Sequence, residues 1–355
     1  MPVKLPSALS APGTTSSLGP DLRTGERSPY LQLVDRIGNF WIVGVLALLV
    51  VGGGLLTPGH VLFTKGAWQS ISGFSVEYLL LAIGQTFVIM TGGIDLSDGA
   101  ILTLTTMVSG AVMQGLLNSG TNALLTTVVG FAVALGLGAF IGSINGFLIT
   151  WLKLPPFIVT LGMLTAIGSG AAPSLINGGT EVSTLPSQIG AIGTGSLGGW
   201  VYTTFLVALV ATIVFGLVLH RTRFGLRTYA IGSNGLSARR SGIKVDRHLI
   251  WVYTISGFLA GLAAMMVMAN FDVASPLSGQ NDELDAIAAV VIGGASLFGG
   301  RGHMLGTLIG TMIISLLVTL LPLLNINGSW TEVATGIIIV AFVALDQVRV
   351  RLAER

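Results

Sequence analysis

The sequence predicts an all-α fold, a polytopic helical membrane protein with about ten transmembrane helices, some of them broken or re-entrant. The first observation is composition: 52% of the 355 residues are hydrophobic and only 9% are charged, whereas a soluble domain carries about a quarter charged residues. The second is a series of apolar runs near the length that crosses a bilayer, roughly 20 residues. The third is the 50 glycines, because glycine is commoner in membrane helices than in soluble ones.

Ten apolar segments are candidates for membrane spans. They are residues 39–58, 68–90, 97–117, 123–150, 157–177, 200–220, 248–270, 284–298, 303–322 and 331–348. The eighth is short for a full span, which favours a half-helix that only enters the membrane. Eight or nine spans with re-entrant pieces are the alternative.

The basic residues indicate an orientation. The outer loops predicted at 178–199 and 271–283 hold no Lys or Arg, and only Lys65 lies on the unexpected side. The positive-inside rule therefore places both termini in the cytoplasm, for a multi-pass protein of the bacterial inner membrane. Three parts follow from this count. They are a disordered cytoplasmic tail (1–38), a transmembrane domain (39–348) and a cytoplasmic C-terminus (349–355).

The longest polar stretch after the tail, residues 221–247, carries many basic residues against one acid, Asp246. A plain topology anchor is one interpretation of this stretch. However, Asn234 can cap a short helix that begins near Gly235, and Gly242 can end that helix. A short helix on the cytoplasmic face is typical of a docking element on which an ATPase pushes.

Residues 91–97 interrupt the apolar pattern with a glycine pair and an acid. Each glycine weakens a helix by about 1 kcal/mol, and the Asp95 carboxylate can accept bonds from free N–H groups where the next helix starts. One interpretation is a tight turn capped by Asp95 and Ser97. The other is a broken helix that faces a transport pathway. On the second interpretation the pathway-lining candidates are Gln85, Thr86, Thr91, Gly92, Gly93, Asp95 and Ser97.

A similar glycine pattern recurs about 200 residues later, at Gly293-Gly294 and in 299–302, and indicates a possible internal repeat. Before it, Asp282, Glu283 and Asp285 favour an N-terminal helix cap, with a docking surface for a periplasmic binding protein as the alternative. Glu77 is an acid near a membrane entrance, where burial is costly. Glycines one turn apart predict close helix packing. They are Gly138, Gly142 and Gly146, then Gly257 with Gly261, then Gly306 with Gly310.

Several function classes are excluded or disfavoured. There is no cysteine, and the net charge of +2 is too small to indicate nucleic acid. The histidines lack metal-ligand spacing, no GxxxxGK[ST] phosphate loop occurs, and no catalytic constellation is visible. We therefore expect no cofactor and no enzyme activity in this chain, with any ATP hydrolysed by a partner.

Four segments resemble a known family. They are Tyr78–Leu102, Asn145–Leu164, Ala230–Ile243 and Glu283–Gly310. Together they are similar to the permeases of binding-protein-dependent ABC importers of the ribose/xylose type, and they cover the chain from about residue 75 onward. Asp98 departs from the family, which has a small apolar residue there.

The resemblance implies import of a monosaccharide or related polyol. The implied partners are a cytoplasmic ABC ATPase, a periplasmic or lipid-anchored sugar-binding protein, and a second permease copy, as a homodimer or heterodimer in membrane lipid. ATPase coupling then falls on Gly232, Asn234, Arg239, Arg240, Ser241 and Gly242. The alternatives are an ABC permease for amino acids or nucleosides, or an ion-coupled secondary transporter with Asp95 as its ion site.

Overall fold

The computed structural model of the chain describes residues 29–168 and 176–327, with single positions between 330 and 344. Contacts divide the chain into two units, Met1–Gly38 and Asn39–Arg355. Of the first unit only the backbone of residues 29–38 is described, as the beginning of helix α1. Most of the predicted tail, most of the predicted span 331–348 and the C-terminus at 349–355 lie outside the described residues.

The described part is helical apart from one small hairpin. Its α-helices are α1 (Pro29–Leu56), α2 (Lys65–Met90), α3 (Asp98–Asn118), α4 (Ala123–Leu152), α5 (Pro156–Met163), α6 (Ser187–Thr194), α7 (Thr203–Arg221), α8 (Arg223–Ser233), α9 (Gly235–Arg240), α10 (Val245–Phe271), α11 (Asp282–Ile292) and α12 (Met304–Leu323). Short 3₁₀ turns occupy Pro58–Phe63 and Asn177–Gly179, and a π turn at Leu164–Gly168 extends α5. Strands β1 (Ser196–Leu197) and β2 (Val201–Tyr202) pair antiparallel. The all-α prediction is confirmed.

Six of the described helices are long and apolar enough to cross a membrane: α2, α3, α4, α7, α10 and α12. They coincide with six of the predicted spans. The predicted spans 39–58 and 157–177 overlap the shorter apolar helices Ile42–Leu56 and Pro156–Gly168, the second of which runs on into residues that are not described. The predicted span 284–298 contains α11, whose 11 residues measure about 16 Å and are too short to cross. The total of ten therefore stays a prediction.

Local signals explain where these helices begin and end. The Thr64 side chain accepts a hydrogen bond from the Ala67 N–H at the start of α2. Asn122 accepts one from the Leu124 N–H, over 2.8 Å, at the start of α4, and both are typical N-caps. Lys153 ends α4 in the left-handed conformation, with φ of 54°, just before two prolines that cannot continue the same helix.

Helix α2 is the centre of the bundle. Of its most apolar 18-residue window, 89% is buried within the chain, against 28% for α7. Helices α10, α12, α11 and α7 all contact α2. A helix that is apolar on every side is expected in such a central position, and the exposed apolar faces of α4 and α7 are those available to lipid.

Glycines bring α4 and α10 into close contact. A Cβ atom added at Gly138 would meet the backbone carbonyl of Gly257, and one at Gly142 would meet that of Tyr253. At Gly261 the added atom would meet the carbonyl of Ala134. The backbones of the two helices therefore touch directly, which only small residues allow. An added Cβ atom at Gly146 would likewise meet the backbone of Ile250. On α12, added Cβ atoms at Gly306 and Gly310 would meet the carbonyls of Gly293 and Ala289, at the end of α11.

Candidate translocation and coupling site

The polypeptide between α2 and α3 makes a tight turn around Asp95. Gly92 has φ of +81°, a left-handed conformation that glycine adopts without a steric penalty. Asp95 Oδ1 accepts hydrogen bonds from the Ser97 N–H (2.9 Å) and the Ser97 hydroxyl (2.7 Å). The backbone hydrogen bond that was predicted for the Asp95 carboxylate is therefore present. Ser97 is the N-cap residue of α3, but its side chain makes no capping bond. The Asp95 side chain bonds Ser97 rather than an N–H group within α3.

Polar side chains connect this turn to three helices. The Gln85 amide of α2 donates to the Asp95 carbonyl and, over 3.0 Å, to Asp98 Oδ2 of α3. The Asn145 amide of α4 donates to Ser97 Oγ at 2.7 Å. These side chains are all fully buried. Asp98, the residue that departs from the family pattern, thus has a partner in Gln85, and the turn is fixed by hydrogen bonds rather than by an ion pair.

The pathway-lining candidates occupy two different environments. Side chains of Gln85, Thr86, Asp95 and Ser97 are buried inside the chain, and Thr86 shares a 2.7 Å hydrogen bond with Thr307 of α12. Thr91 is half-buried, with its hydroxyl donating to the Val88 carbonyl, and Gly92 is exposed while Gly93 is buried. In this conformation Gln85, Asp95 and Ser97 are bonded to one another around the helix break, whereas Thr86 joins α2 to α12. A role in lining a pathway stays a prediction.

A second break follows α11 and contacts the first. The segment after α11 turns at Gly294 (φ +88°), Gly299 (φ +88°) and Gly300 (φ +72°). Within it the Ser296 N–H donates to the Arg301 carbonyl at 3.0 Å. The Gly300 N–H donates to the carbonyl of Met90, the last residue of α2, also at 3.0 Å. The two glycine breaks, far apart in sequence, are therefore joined by a backbone hydrogen bond.

Helix α8 ends against this junction of the two breaks. A Cβ atom at Gly232 would overlap the Met90 carbonyl and come within 2.5 Å of the Gly300 N–H nitrogen. A Cβ atom at Gly299 would stand 3.0 Å from both Gly232 Cα and the Gly92 nitrogen. We call Met90, Gly92, Gly232, Gly299 and Gly300 the glycine junction. It places one end of the predicted coupling segment directly on both helix breaks.

Tyr229, one turn earlier on α8, adds a side-chain link to the same region. Its hydroxyl donates to the Gly302 carbonyl at 2.8 Å, and partial burial raises the pKa of this hydroxyl, so that it remains a donor. Tyr229 is not among the residues predicted from the sequence, whereas Gly300 belongs to the predicted glycine pattern. The clustered glycines at 299–302 were a visible signal, but nothing in the sequence indicates which segment packs on them.

The predicted basic loop 221–247 is mostly helical, with one helix more than expected. The cap at Asn234 is present, since its side chain accepts from the Ser237 N–H at 2.8 Å. Helix α9 ends at Arg240 and is followed by the C-cap residue Ser241 and by Gly242, which has φ of +85°. The additional helix, α8, starts at the N-cap Thr222, whose hydroxyl oxygen accepts from the Phe224 and Gly225 N–H groups.

Arg239 and Asp246 form an exposed ion pair beside α9. Both guanidinium nitrogens donate to the carboxylate, over 3.0 and 2.6 Å. The Asp246 carboxylate raises the already high pKa of Arg239, so the charge is permanent. More than half of each side chain is exposed. The neighbouring Arg240 is also exposed, which leaves α9 with positive charge facing solvent.

The acids predicted to cap a helix do begin α11. Asp282, Glu283 and Asp285 all lie in its first turn, where carboxylates complement the helix dipole. Asp282 and Glu283 are only 8% and 5% exposed, and Glu77 of α2 is also 8% exposed. In the described part of the chain no group of three or more His, Cys, Asp or Glu residues is suited to hold a metal ion.

Three parts of the chain therefore meet at this site. The two breaks are joined by one backbone hydrogen bond, and the basic helical segment ends on them. Gly232 of α8 contacts both breaks backbone on backbone, without a side chain between them.

Comparisons with known proteins point in the same direction. The family described as "branched-chain amino acid transport system / permease component" matches residues 69–343. The ribose import permease protein of Bacillus subtilis is 41% identical over 270 residues, covering 76% of this chain and 80% of its own length. The fructose import permease protein of Rhizobium meliloti is 37% identical over 274 residues, 76% and 74% of the two chains.

A third relative covers more of the sequence. The D-allose transport system permease protein of Escherichia coli is 34% identical over 313 residues, which is 88% of this chain and 92% of that protein. No solved structure matches. The similarity includes α2, both glycine breaks and the basic helical segment.

Proposed function

We propose that this chain is the pore subunit of an ABC sugar importer. The chain belongs to the family of permease components of branched-chain amino acid transport systems. Its cargo is a monosaccharide or a related polyol, which moves into the cytoplasm. The observation that carries the proposal is similarity to import permeases for ribose, fructose and allose over at least three quarters of the chain.

The glycine junction supports coupling to a separate ATPase. An importer of this kind needs a surface that receives force and a path from that surface to the pore. Helices α8 and α9 supply an exposed basic surface, and Gly232 places the end of α8 against Met90 and Gly300. We assign Gly232, Asn234, Arg239, Arg240, Ser241 and Gly242 to this coupling segment, on the cytoplasmic side.

The remaining partners follow from the family. A periplasmic or lipid-anchored sugar-binding protein delivers the cargo to the opposite end of the bundle. A second permease copy completes the pore, as a homodimer unless a related chain takes its place. The protein lies in the bacterial inner membrane with both termini in the cytoplasm. The scarcity of Lys and Arg at 178–199 and 271–283 supports this orientation.

Two alternatives have an observation each in their favour. The family description names amino acid transport, which keeps an amino acid cargo open to test. Asp95 favours ion coupling, because its carboxyl group is completely buried inside the chain, and a buried ionisable group in a transporter is a candidate ion site.

One experiment separates these functions. The permease, its ATPase and its binding protein are reconstituted in proteoliposomes and supplied with D-ribose, D-fructose, D-allose or L-leucine. ATP-dependent uptake of at least one sugar, with no uptake of leucine, is the expected result. Uptake that ignores ATP and collapses with the ion gradient would refute the proposal in favour of a secondary transporter.

A further inference from the structure

An open cavity lies at the end of the bundle opposite the coupling segment. Helix α10 runs from Val245, beside α9, to Phe271, a distance of about 40 Å. Beyond its far end, the cavity has a volume of about 400 Å³ between α2, the end of α10 and the segment that leads into α11. Its walls contain the apolar side chains of Val267, Val273 and Leu277 as well as polar groups. This volume falls within the usual range for small-molecule sites, about 300–1,000 Å³.

The walls of this cavity combine acids, neutral polar groups and an aromatic ring. Glu77 and Asp282 contribute carboxyl groups, Ser278 and Gln280 contribute hydrogen-bonding groups, and Phe271 contributes its ring. The Phe271 side chain is 57% exposed. A sugar ring matches this combination, because its hydroxyls donate to carboxylates while its C–H face packs on an aromatic ring.

In this cavity, one carboxyl oxygen of Asp282 lacks a hydrogen-bond partner among the described residues. The residue is 8% exposed, and its Oδ2 atom is buried without a hydrogen-bond partner among the residues that the structure describes. Neither Asp282 nor Glu77 has a salt-bridge partner in the described part of the chain. A buried acceptor left unsatisfied costs about 1–3 kcal/mol, more when charged, and a ligand hydroxyl would satisfy it.

The cavity wall is also packed against the first helix break. A Cβ atom at Gly99, in the first turn of α3, would meet the Glu283 carboxylate and come within 2.5 Å of the Gly279 carbonyl. The Thr103 hydroxyl donates to the Ser278 carbonyl. The segment that forms the cavity floor therefore contacts the helix that starts directly after Asp95 and Ser97.

We propose that this cavity is an entry site for the cargo, a low-affinity site that receives a monosaccharide at the outer face of the permease before translocation. Glu77 and Asp282 accept its hydroxyls, and Phe271 packs against its ring. This inference rests on the proposed function for the class of cargo. It adds that the permease itself recognises the sugar, in addition to any selection by the binding protein.

The test measures sugar binding to the full-length permease alone in lipid nanodiscs, without ATPase or binding protein. Saturation-transfer NMR is recorded for the three sugars of the uptake experiment. We expect transfer from the permease to the imported sugar, with an affinity at least tenfold weaker in Asp282→Asn and in Glu77→Gln. Both variants keep the side-chain shape, so their melting temperatures should stay close to that of the wild type.

Asp272→Asn is the matched control. This acid follows Phe271 directly, is exposed and does not line the cavity; asparagine also tolerates its left-handed conformation, with φ of 52°. We expect unchanged binding in this variant. A second test variant, Phe271→Ala, removes an exposed ring and should weaken binding without unfolding the protein.

The outcomes separate the entry site from the proposed function. ATP-dependent sugar uptake by the complex, together with absent binding to the permease or equal binding in Asp282→Asn and wild type, would overturn the entry site and leave the function intact. In Asp282→Asn, sugar binding could stay unchanged while the effect of sodium or calcium on the melting temperature is lost. That result would make the cavity a cation site and would also overturn the entry site. Absence of ATP-dependent uptake for every sugar would overturn the proposed function itself.

Discussion

The Gly300 N–H donates a 3.0 Å hydrogen bond to the carbonyl of Met90, so a loop after α11 is joined to the last residue of α2. Gly232 of α8 packs on this same pair. The central helix of the bundle, both glycine breaks and the basic segment thus meet at one place. On the proposed function, this contact joins the basic segment directly to both helix breaks.

The first prediction concerns Gly232→Ala. An added methyl group would overlap the Met90 carbonyl, and because the obstacle is backbone, α8 must move away from the junction. We expect ATP-dependent uptake in proteoliposomes to fall at least tenfold while the protein still inserts in the membrane. The sugar binding of the permease in nanodiscs should be unchanged, since the cavity lies at the other end of α10.

Gly235→Ala is the control for this prediction. Gly235 belongs to the same basic segment, yet a Cβ atom there meets nothing within 4 Å. Uptake should stay within twofold of wild type. Equal uptake in Gly232→Ala and Gly235→Ala would show that the junction carries no coupling.

The second prediction concerns the charge of α9. Reversal of charge at Arg239 and Arg240 should lower ATP-coupled uptake at least fivefold without affecting insertion. The Arg239–Asp246 pair is exposed and contributes little to stability, so lost uptake would reflect docking rather than unfolding. The ATPase activity stimulated by the permease, measured in the reconstituted complex, should fall in parallel.

A charge swap, Arg239→Asp with Asp246→Arg, distinguishes the ion pair from the docking surface. The swap restores the pair in reverse but leaves Arg240 in place. Wild-type uptake in the charge swap would mean that only the intramolecular pair matters. Unchanged uptake after charge reversal at both Arg239 and Arg240 would mean that the segment is a plain topology anchor.

The third prediction concerns the packing of α4 on α10. In Gly142→Ala the new methyl group would meet the Tyr253 carbonyl and approach the Gly257 nitrogen to 3.1 Å. Overpacking of this kind costs about 1–3 kcal/mol, and we expect a melting temperature several degrees lower in detergent. Gly136→Ala, on the same helix with nothing within 4 Å, should melt like wild type or slightly higher. A melting temperature unchanged by Gly142→Ala would contradict the close contact.

The fourth prediction separates the two interpretations of Asp95. The observed turn needs an acceptor at Oδ1 for the Ser97 N–H and hydroxyl, and an asparagine oxygen supplies one. We therefore expect Asp95→Asn to keep ATP-dependent uptake within twofold, and Asp95→Ala to lose at least fivefold. Ion coupling through Asp95 predicts the opposite for asparagine, namely that removal of the charge alone abolishes uptake.

Sequence reasoning succeeded where the interacting groups are neighbours. Asn234 caps α9 through Ser237, and Asp95 bonds Ser97, because both interactions lie within three residues and depend on local backbone geometry. The six long spans could also be predicted, since length and apolar composition suffice to identify them. Helix α8 could also have been predicted, from the N-cap Thr222.

Pairing between distant segments was not predictable. The spacing of Gly138 and Gly142 indicates close packing, but several helices are apolar, and nothing in the sequence names α10 as the partner. The same holds for Gly232 with Met90 and Gly300, whose contact depends on the three-dimensional path of the chain between them. Burial does not test the lining role predicted for Gln85 and Thr86, because polar side chains on a membrane helix can face a pathway or each other. In this conformation they bond within the chain, and the lining role stays a prediction.

Sugar uptake by the reconstituted permease, ATPase and binding protein, with ATP and with a non-hydrolysable analogue, decides between an ATP-driven importer and a secondary transporter. We expect accumulation of D-ribose, D-fructose or D-allose with ATP, abolished by the analogue and insensitive to ionophores. Accumulation that persists with the analogue and disappears on addition of an ionophore would rule out an ATP-driven importer.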